Sequence, residues 1–170
     1  MPAAFGTDDA IPVAELAPPN PRLNRWVRIG LALIALGLVL VFGIARWLNP
    51  RDENGNPRRM ETHRQLGLPP CTFYLVTGLP CPSCGMTTSF SHLAHGDVAN
   101  SLKANPMGTL LAVSALAAIP WCLVSAAWGR RLGVQDYELF IARAVLVFFV
   151  LLVVSWAIRL LVLWLSAEPG

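Results

Sequence analysis

"LFIARAVLVFFVLLVVSWAIRLLVLWL", residues 139 to 165, is the longest apolar run in the chain and decides its fold class. It holds 27 residues, and a helix needs only about 20 to cross the hydrocarbon core of a bilayer. Arg143 and Arg159 interrupt the run. We expect both to snorkel to opposite headgroup layers, as long cationic side chains near span ends usually do. The alternative is that Arg159 pairs with a polar group between the helices.

Two further runs are long enough to cross a bilayer, at residues 26–48 and 106–128. The first starts too late and is too long to be a cleaved signal peptide. The second follows Asn105 and Pro106, a pair that suits a helix N-terminus because Asn caps and Pro fits the first turn. The sequence therefore predicts an all-α membrane protein with three transmembrane helices, near 26–48, 106–128 and 139–165, and with its termini on opposite faces.

Composition agrees with this fold class and limits the partners. Apolar residues make up 55% of the chain and charged residues 14%, against about 25% charged in soluble domains. The net charge of +3 is too small to indicate nucleic-acid binding, and the arginines flank the apolar runs. We expect the lipid bilayer as the main partner, other membrane proteins as further partners, and no nucleic acid.

The remaining segments are a tail, a loop, a linker and a cap. Residues 1–21 are rich in Pro and Ala without any periodicity, which predicts a disordered tail before a membrane domain over residues 22–170. The stretch "GRRLGVQDYE", residues 129 to 138, predicts a tight polar loop between the second and third spans. Residues 49–64 are polar and turn-rich, which predicts a solvated linker.

Residues 66–104 form the cap, the part of the chain between the first two spans that carries three of its four cysteines. Its start is apolar but broken by Gly and Pro, so it is expected to lie at the membrane interface or under other helices, because irregular backbone is not tolerated in lipid. Two short helices are predicted, Met86–Leu93 and Val98–Ala104, with Asp97 as the N-cap of the second.

Three stretches of the cap resemble a known family. They are "CTFYLVTGLPCPSCGMTTSF" at 71–90, "HGD" at 95–97 and "ANP" at 104–106. In this order they are similar to the bacterial integral membrane family named domain of unknown function 2752, over about residues 66–128. The resemblance implies a multi-pass protein of the bacterial cytoplasmic membrane and carries no activity. Thr88 stands where many members have Arg, so a role of that Arg is not expected here.

The cysteines of the cap allow three interpretations. A structural disulfide from Cys71 to Cys81 or Cys84 would close a loop of roughly ten to fourteen residues and contribute about 3 kcal/mol. A redox dithiol would use Cys81 and Cys84 near a helix N-terminus, where the dipole favours a thiolate. A zinc site would combine the three cysteines with His92 or His95. Cys84 and His92 would lie about 12 Å apart along a continuous helix, which argues against one ion joining them.

The preferred prediction is a non-enzymatic protein, a small membrane scaffold or accessory subunit with a structural cysteine cap. No Ser/His/Asp set, carboxylate pair or phosphate-binding loop stands in the sequence, and Asp97 is explained as a helix cap. No cofactor is predicted. The alternatives are a membrane thiol-disulfide oxidoreductase that uses Cys81 and Cys84, and a metal-binding membrane protein, for which zinc is the candidate ion.

Overall fold

The computed structural model describes residues 23–129 and 137–166, and this part of the chain is helical, without a β-strand. It contains six α-helices and a 3₁₀ helix over Thr62–Leu66. The α-helices are α1 (Arg25–Trp47), α2 (Thr72–Thr77), α3 (Met86–Ala94), α4 (Val98–Ala104), α5 (Pro106–Trp128) and α6 (Tyr137–Ser166). The predicted tail at 1–21 and most of the predicted loop at 129–138 lie outside the described residues.

Three of these helices, α1, α5 and α6, are long and apolar enough to cross a membrane. The all-α fold with three candidate spans is therefore confirmed, and each helix begins and ends within two residues of its predicted limits. The exposed side chains of all three helices are largely apolar, which would be unfavourable in water and is the surface that lipid requires.

Helices α1 and α5 pack closely along each other. Their buried residues are mostly small, among them Ala35 and Ala112, which are 1% and 0% exposed. Small side chains let two helices approach closely in lipid, where dispersion contacts drive association. At one end of the pair, Arg28 donates from Nε to the carbonyl of Ala126 at 2.6 Å and from Nη2 to that of Ala127 at 3.2 Å. These bonds satisfy carbonyls that the C-terminus of α5 leaves unpaired.

The cap lies at the other end of the pair, and α3 is its centre. Phe90 of α3 stacks on Phe42 of α1 with ring centroids 5.6 Å apart. On another side of α3 the hydroxyls point inward: Ser91 donates to the carbonyl of Leu48 at 2.9 Å, and Ser89 donates to that of Asn105 at 3.0 Å. Since both serines are fully buried, these bonds offset the cost of removing their hydroxyls from water.

Two helices, α4 and α5, begin at caps that the sequence shows. Asp97 accepts at Oδ1 from the backbone amide of Asn100 at 3.1 Å, at the start of α4. Asn105 accepts at Oδ1 from the amide of Gly108 at 2.9 Å, at the start of α5. Each side chain satisfies an amide that has no partner inside its helix.

The segment between α1 and the cap differs from the prediction. A solvated linker over 49–64 is wrong at both ends, because Pro50 is buried and Thr62 is 0% exposed. Thr62 donates to the hydroxyl of Thr88 at 2.9 Å inside the protein. The cap also has one α-helix more than predicted, α2, which ends at Gly78 in a left-handed conformation with φ of 71°. The buried ends of this segment and helix α2 were not recognised from the sequence, because turn-forming residue types occur both in exposed turns and in packed ones.

Candidate functional site

The three cysteines of the cap converge. The sulfur atoms of Cys71, Cys81 and Cys84 all lie within 4.8 Å of one another, and we call these three residues the cysteine group. Cys71 comes from the residue before α2, whereas the other two flank the turn that leads into α3. That turn is closed by a hydrogen bond from the amide of Cys84 to the carbonyl of Cys81 at 3.1 Å. Chain segments ten residues or more apart are thus joined at one point.

Cys81 and Cys84 differ in their readiness to ionise. Their sulfur atoms are 2.9 Å apart, and Cys84 is the buried member. Burial opposes ionisation of Cys81, but hydrogen bonds from Cys84 and Ser83 outweigh it and lower the pKa of Cys81 below its usual value of 9.0. Burial raises the pKa of Cys84 to about 12, helped by its hydrogen bonds to the other two cysteines. Cys81 is therefore the thiol that ionises first.

A pocket of about 300 Å³ opens beside the cysteine group. All three cysteines line it, together with Glu61, His63 and Tyr74. His63 is a potential ligand that sequence reasoning missed, because it belongs to the segment taken for a solvated linker. Its Nε2 lies 3.2 Å from the carbonyl oxygen of Pro69, which orients the ring. The pocket gives a small ligand access to the sulfur atoms.

The two histidines proposed as zinc ligands lie elsewhere. His92 is 0% exposed, and its Nε2 lies 3.0 Å from the carbonyl oxygen of Arg58. Its Nδ1 has no hydrogen-bond partner and lies 3.8 Å from the carboxylate of Asp97. His95 lies 2.8 Å from the carbonyl oxygen of Ser91 through Nδ1 and 2.9 Å from Nη1 of Arg46 through Nε2. The cysteine group, which is the set of described residues close enough to hold a metal ion, includes neither His92 nor His95.

The disulfide predicted from Cys71 is not formed in the structure, in which all four cysteines are free thiols. The structure does bring Cys71 beside both of its proposed partners. The pairing itself stays a prediction. Cys122 lies apart from the group, buried within α5.

Two side chains, one at the start of α5 and one in α6, donate hydrogen bonds to carbonyls of the turn from Pro80 to Cys84. Asn105 donates from Nδ2 to the carbonyls of Pro82 at 3.2 Å and Cys84 at 3.1 Å. Arg159 of α6 donates from Nη1 to the same carbonyl of Cys84 at 3.3 Å. The expectation that Arg159 snorkels to the headgroups stays a prediction. The alternative, pairing with a polar group of the protein, agrees with this hydrogen bond to the carbonyl of Cys84.

Trp156 is a third side chain that holds the turn, and no sequence pattern indicated it. Its indole Nε1 donates to the carbonyl of Pro80 at 2.7 Å. Its ring also meets Phe73 of α2 edge-on, with centroids 6.4 Å apart. The third span therefore contacts the cap on both sides of the cysteine turn. In an apolar environment each of these carbonyls needs a donor, because water cannot supply one.

Gly85 fixes how closely the cysteine turn approaches its neighbours. Its φ is 90°, a region that residues with a Cβ rarely adopt. A Cβ at this position would lie 2.6 Å from the carbonyl oxygen of Ala104 and 2.8 Å from that of Arg59. The glycine in the cysteine motif is thus required both for its conformation and for its lack of a side chain.

Fold and site together define an all-α protein with three helices able to span a membrane and a cap that gathers three cysteines. The resemblance seen in the sequence is confirmed, because the family model described as "Protein of unknown function (DUF2752)" matches residues 71–119. The match runs from the first cysteine of the group into α5. No curated protein and no solved structure matches the chain.

Proposed function

We propose that this chain is a small membrane accessory protein whose cysteine group binds one thiophilic metal ion such as Zn²⁺. The observation that carries the proposal is the convergence of three cysteine sulfurs within 4.8 Å of one another. Tetrahedral zinc with Zn–S bonds of about 2.3 Å holds its sulfur ligands about 3.8 Å apart. Small side-chain rotations would bring the three sulfurs to that spacing. Binding would release as many protons as there are protonated thiols in the group.

Hydrogen bonds to the sulfurs support this assignment. The backbone amide of Cys81 donates to the sulfur of Cys84 at 3.2 Å, and the hydroxyl of Ser83 lies 3.3 Å from the sulfur of Cys81. Such contacts stabilise thiolates and orient them, as outer-shell partners do around metals. The pocket leaves the fourth coordination position open to water, to a small ligand or to a side chain that lines it, such as His63.

The proposed place of the protein is the bacterial cytoplasmic membrane, with lipid around the spans and another membrane protein as partner. The family resemblance and the three apolar helices support this location. A metal-bound cap would serve as a structural element at the membrane surface, which keeps the accessory role expected from the sequence. It requires thiols that stay reduced, as they do on the cytoplasmic side.

A redox dithiol is the second candidate, because Cys81 and Cys84 form an asymmetric pair with sulfurs 2.9 Å apart. In that function the Cys81 thiolate attacks the disulfide of a partner protein and displaces one of its thiolates. Cys84 then attacks the mixed disulfide, and the second partner thiol leaves. The cap gains a disulfide while the partner's disulfide is reduced by two electrons and two protons. Cys71 has no part in this exchange.

Metal titration of the reduced, detergent-purified protein separates the two functions. We expect one equivalent of Co²⁺ to produce thiolate-to-cobalt charge-transfer absorption, and Zn²⁺ to displace it. Replacing Cys71, Cys81 or Cys84 by Ser should each abolish or strongly weaken binding. The matched control is Cys122→Ser, which removes a buried cysteine outside the group and should leave binding unchanged.

Two outcomes would contradict the metal proposal. One is the absence of any stoichiometric binding by the reduced wild-type protein. The other is that Cys71→Ser binds as tightly as wild type, since the third sulfur distinguishes the metal site from a dithiol. Loss of disulfide exchange in Cys81→Ser and Cys84→Ser, with Cys71→Ser unaffected, would favour the redox function.

A further inference from the structure

Arg159 carries a positive charge within an apolar span. It lies seven residues before the end of α6, which is about 10 Å along the helix axis. The three candidate spans, Arg25–Trp47, Pro106–Trp128 and Leu139–Ser166, contain no Asp or Glu. The ion pairs found among the described residues all involve other cations. A cation inside an apolar span is costly unless charged or polar partners compensate it, and it is therefore a sign of function.

The group that Arg159 contacts is the cysteine group. Nη1 of Arg159 lies 3.3 Å from the carbonyl oxygen of Cys84. Covalent geometry keeps the oxygen and the sulfur of one cysteine within about 5 Å of each other, so the guanidinium lies within about 8 Å of that sulfur. If the thiols are neutral, the cysteine group offers Arg159 the carbonyl of Cys84 but no negative charge. Three thiolates around a divalent ion carry a net charge of −1, which one arginine neutralises.

We infer that Arg159 is the counter-charge of the metal-bound cysteine group and that it makes this group selective for a divalent thiophilic cation. The inference rests on the proposed metal function and deepens it. With a divalent ion, the three thiolates and Arg159 sum to zero, which suits a site held against an apolar helix. With a monovalent ion such as Cu⁺ the same residues sum to −1, and burial of the uncompensated charge opposes binding.

Charge and hydrogen bonding by Arg159 are separated by two substitutions. Arg159→Gln keeps a donor for the Cys84 carbonyl and removes the charge, whereas Arg159→Lys keeps the charge and loses the planar fork. A unit charge about 8 Å away, at an effective dielectric constant of about 20 to 40, changes an affinity on the order of tenfold. We expect Arg159→Gln to weaken Zn²⁺ binding by about that factor and Arg159→Lys by much less. Arg143→Gln, at the opposite end of α6, is the matched control and should bind as wild type does.

The measurement is competition for Zn²⁺ against a chromophoric chelator, with thermal unfolding of each metal-free variant recorded alongside. Weaker binding in Arg159→Gln alone, with unfolding temperatures close to wild type, would support the counter-charge. Equal weakening in Arg159→Gln and Arg159→Lys would overturn it, because the fork and its bond to Cys84 would then be what matters. Unchanged affinity in Arg159→Gln would overturn it as well. Failure of the wild type to bind Zn²⁺ is a different result, since it contradicts the proposed function itself.

Discussion

Replacing Gly85 by Ala should destabilise the protein more than the same change at any open glycine. An alanine at positive φ costs about 1–2 kcal/mol for its conformation alone. The added Cβ would also lie 2.6 Å and 2.8 Å from two backbone oxygens, of Ala104 and Arg59. Neither oxygen can rotate away, so the cysteine turn must separate from α4 and from the segment before the 3₁₀ helix. Overpacking of this kind costs about 1–3 kcal/mol. The sum is roughly 2–5 kcal/mol, a large part of the 5–15 kcal/mol that stabilises a typical domain.

The matched control for Gly85→Ala is Gly96→Ala. Gly96 also has positive φ, of 80°, but a Cβ there would meet nothing within 4 Å. It should therefore lose only the conformational part, about 1–2 kcal/mol. Reversible denaturation in mixed micelles, followed by tryptophan fluorescence, gives the two free energies of unfolding. Equal destabilisation of the two variants would refute the argument, because the close approach at Gly85 would then contribute nothing.

Three further predictions concern single groups in the cap or beside it. Thr62→Val should lower the free energy of unfolding by about 1–3 kcal/mol, because it leaves the buried hydroxyl of Thr88 without its partner at 2.9 Å. In a double-mutant cycle measured by denaturation, Thr62→Val combined with Thr88→Val should cost less than the sum of the two single changes. Hydrogen bonds at the N-terminus of α4 hold the pKa of Asp97 below its usual 3.8, so its stabilising contribution is present above about pH 3.8 and is lost as pH falls through the folded value. Asp97→Asn should make unfolding less dependent on acid in that window, and an unchanged acid limb would contradict the assignment. In the reduced, metal-free protein, iodoacetamide at pH 8 should modify Cys81 much faster than Cys84, whose pKa is about 12, as followed by peptide mass spectrometry. Equal rates would contradict the asymmetry.

Local signals in the sequence were sufficient for the helices that begin with a cap. Asp97 and Asn105 accept from the amides of their first turns, and both helices start where the residues predicted. Run length was sufficient for the three spans, because crossing a bilayer sets a minimum length that only these three helices reach within residues 23–129 and 137–166. Helix α2 was missed because only six residues separate Cys71 from Gly78, too few for a periodic pattern to show.

Contacts between distant segments could not be predicted in this way. The general rule for cationic side chains near span ends, applied to Arg159 alone, predicts a position near the headgroups and does not indicate its hydrogen bond to the cap. Its partner, the carbonyl of Cys84, is 75 residues away, and nothing local to either residue indicates the other. The convergence of all three cysteines was expected only under the zinc interpretation, one of the three that the sequence left open. Spacing limits which residues can meet, but only the fold, which places Cys71 beside the turn, brings all three together.

The dependence of the site on the third span has a physical reason. The turn from Pro80 to Cys84 lies between a short helix and α3, so most of its carbonyls have no place in a regular helix. Unpaired carbonyls are costly where water is excluded, and the donors that satisfy them come from other elements: Asn105 before α5, and Trp156 and Arg159 in α6. The family match ends at residue 119 and therefore includes the three cysteines of the group and Asn105 but neither donor from α6. In this chain the matched segment supplies the sulfur atoms, while the span outside the match supplies two of the hydrogen bonds and a positive charge that hold their turn in place.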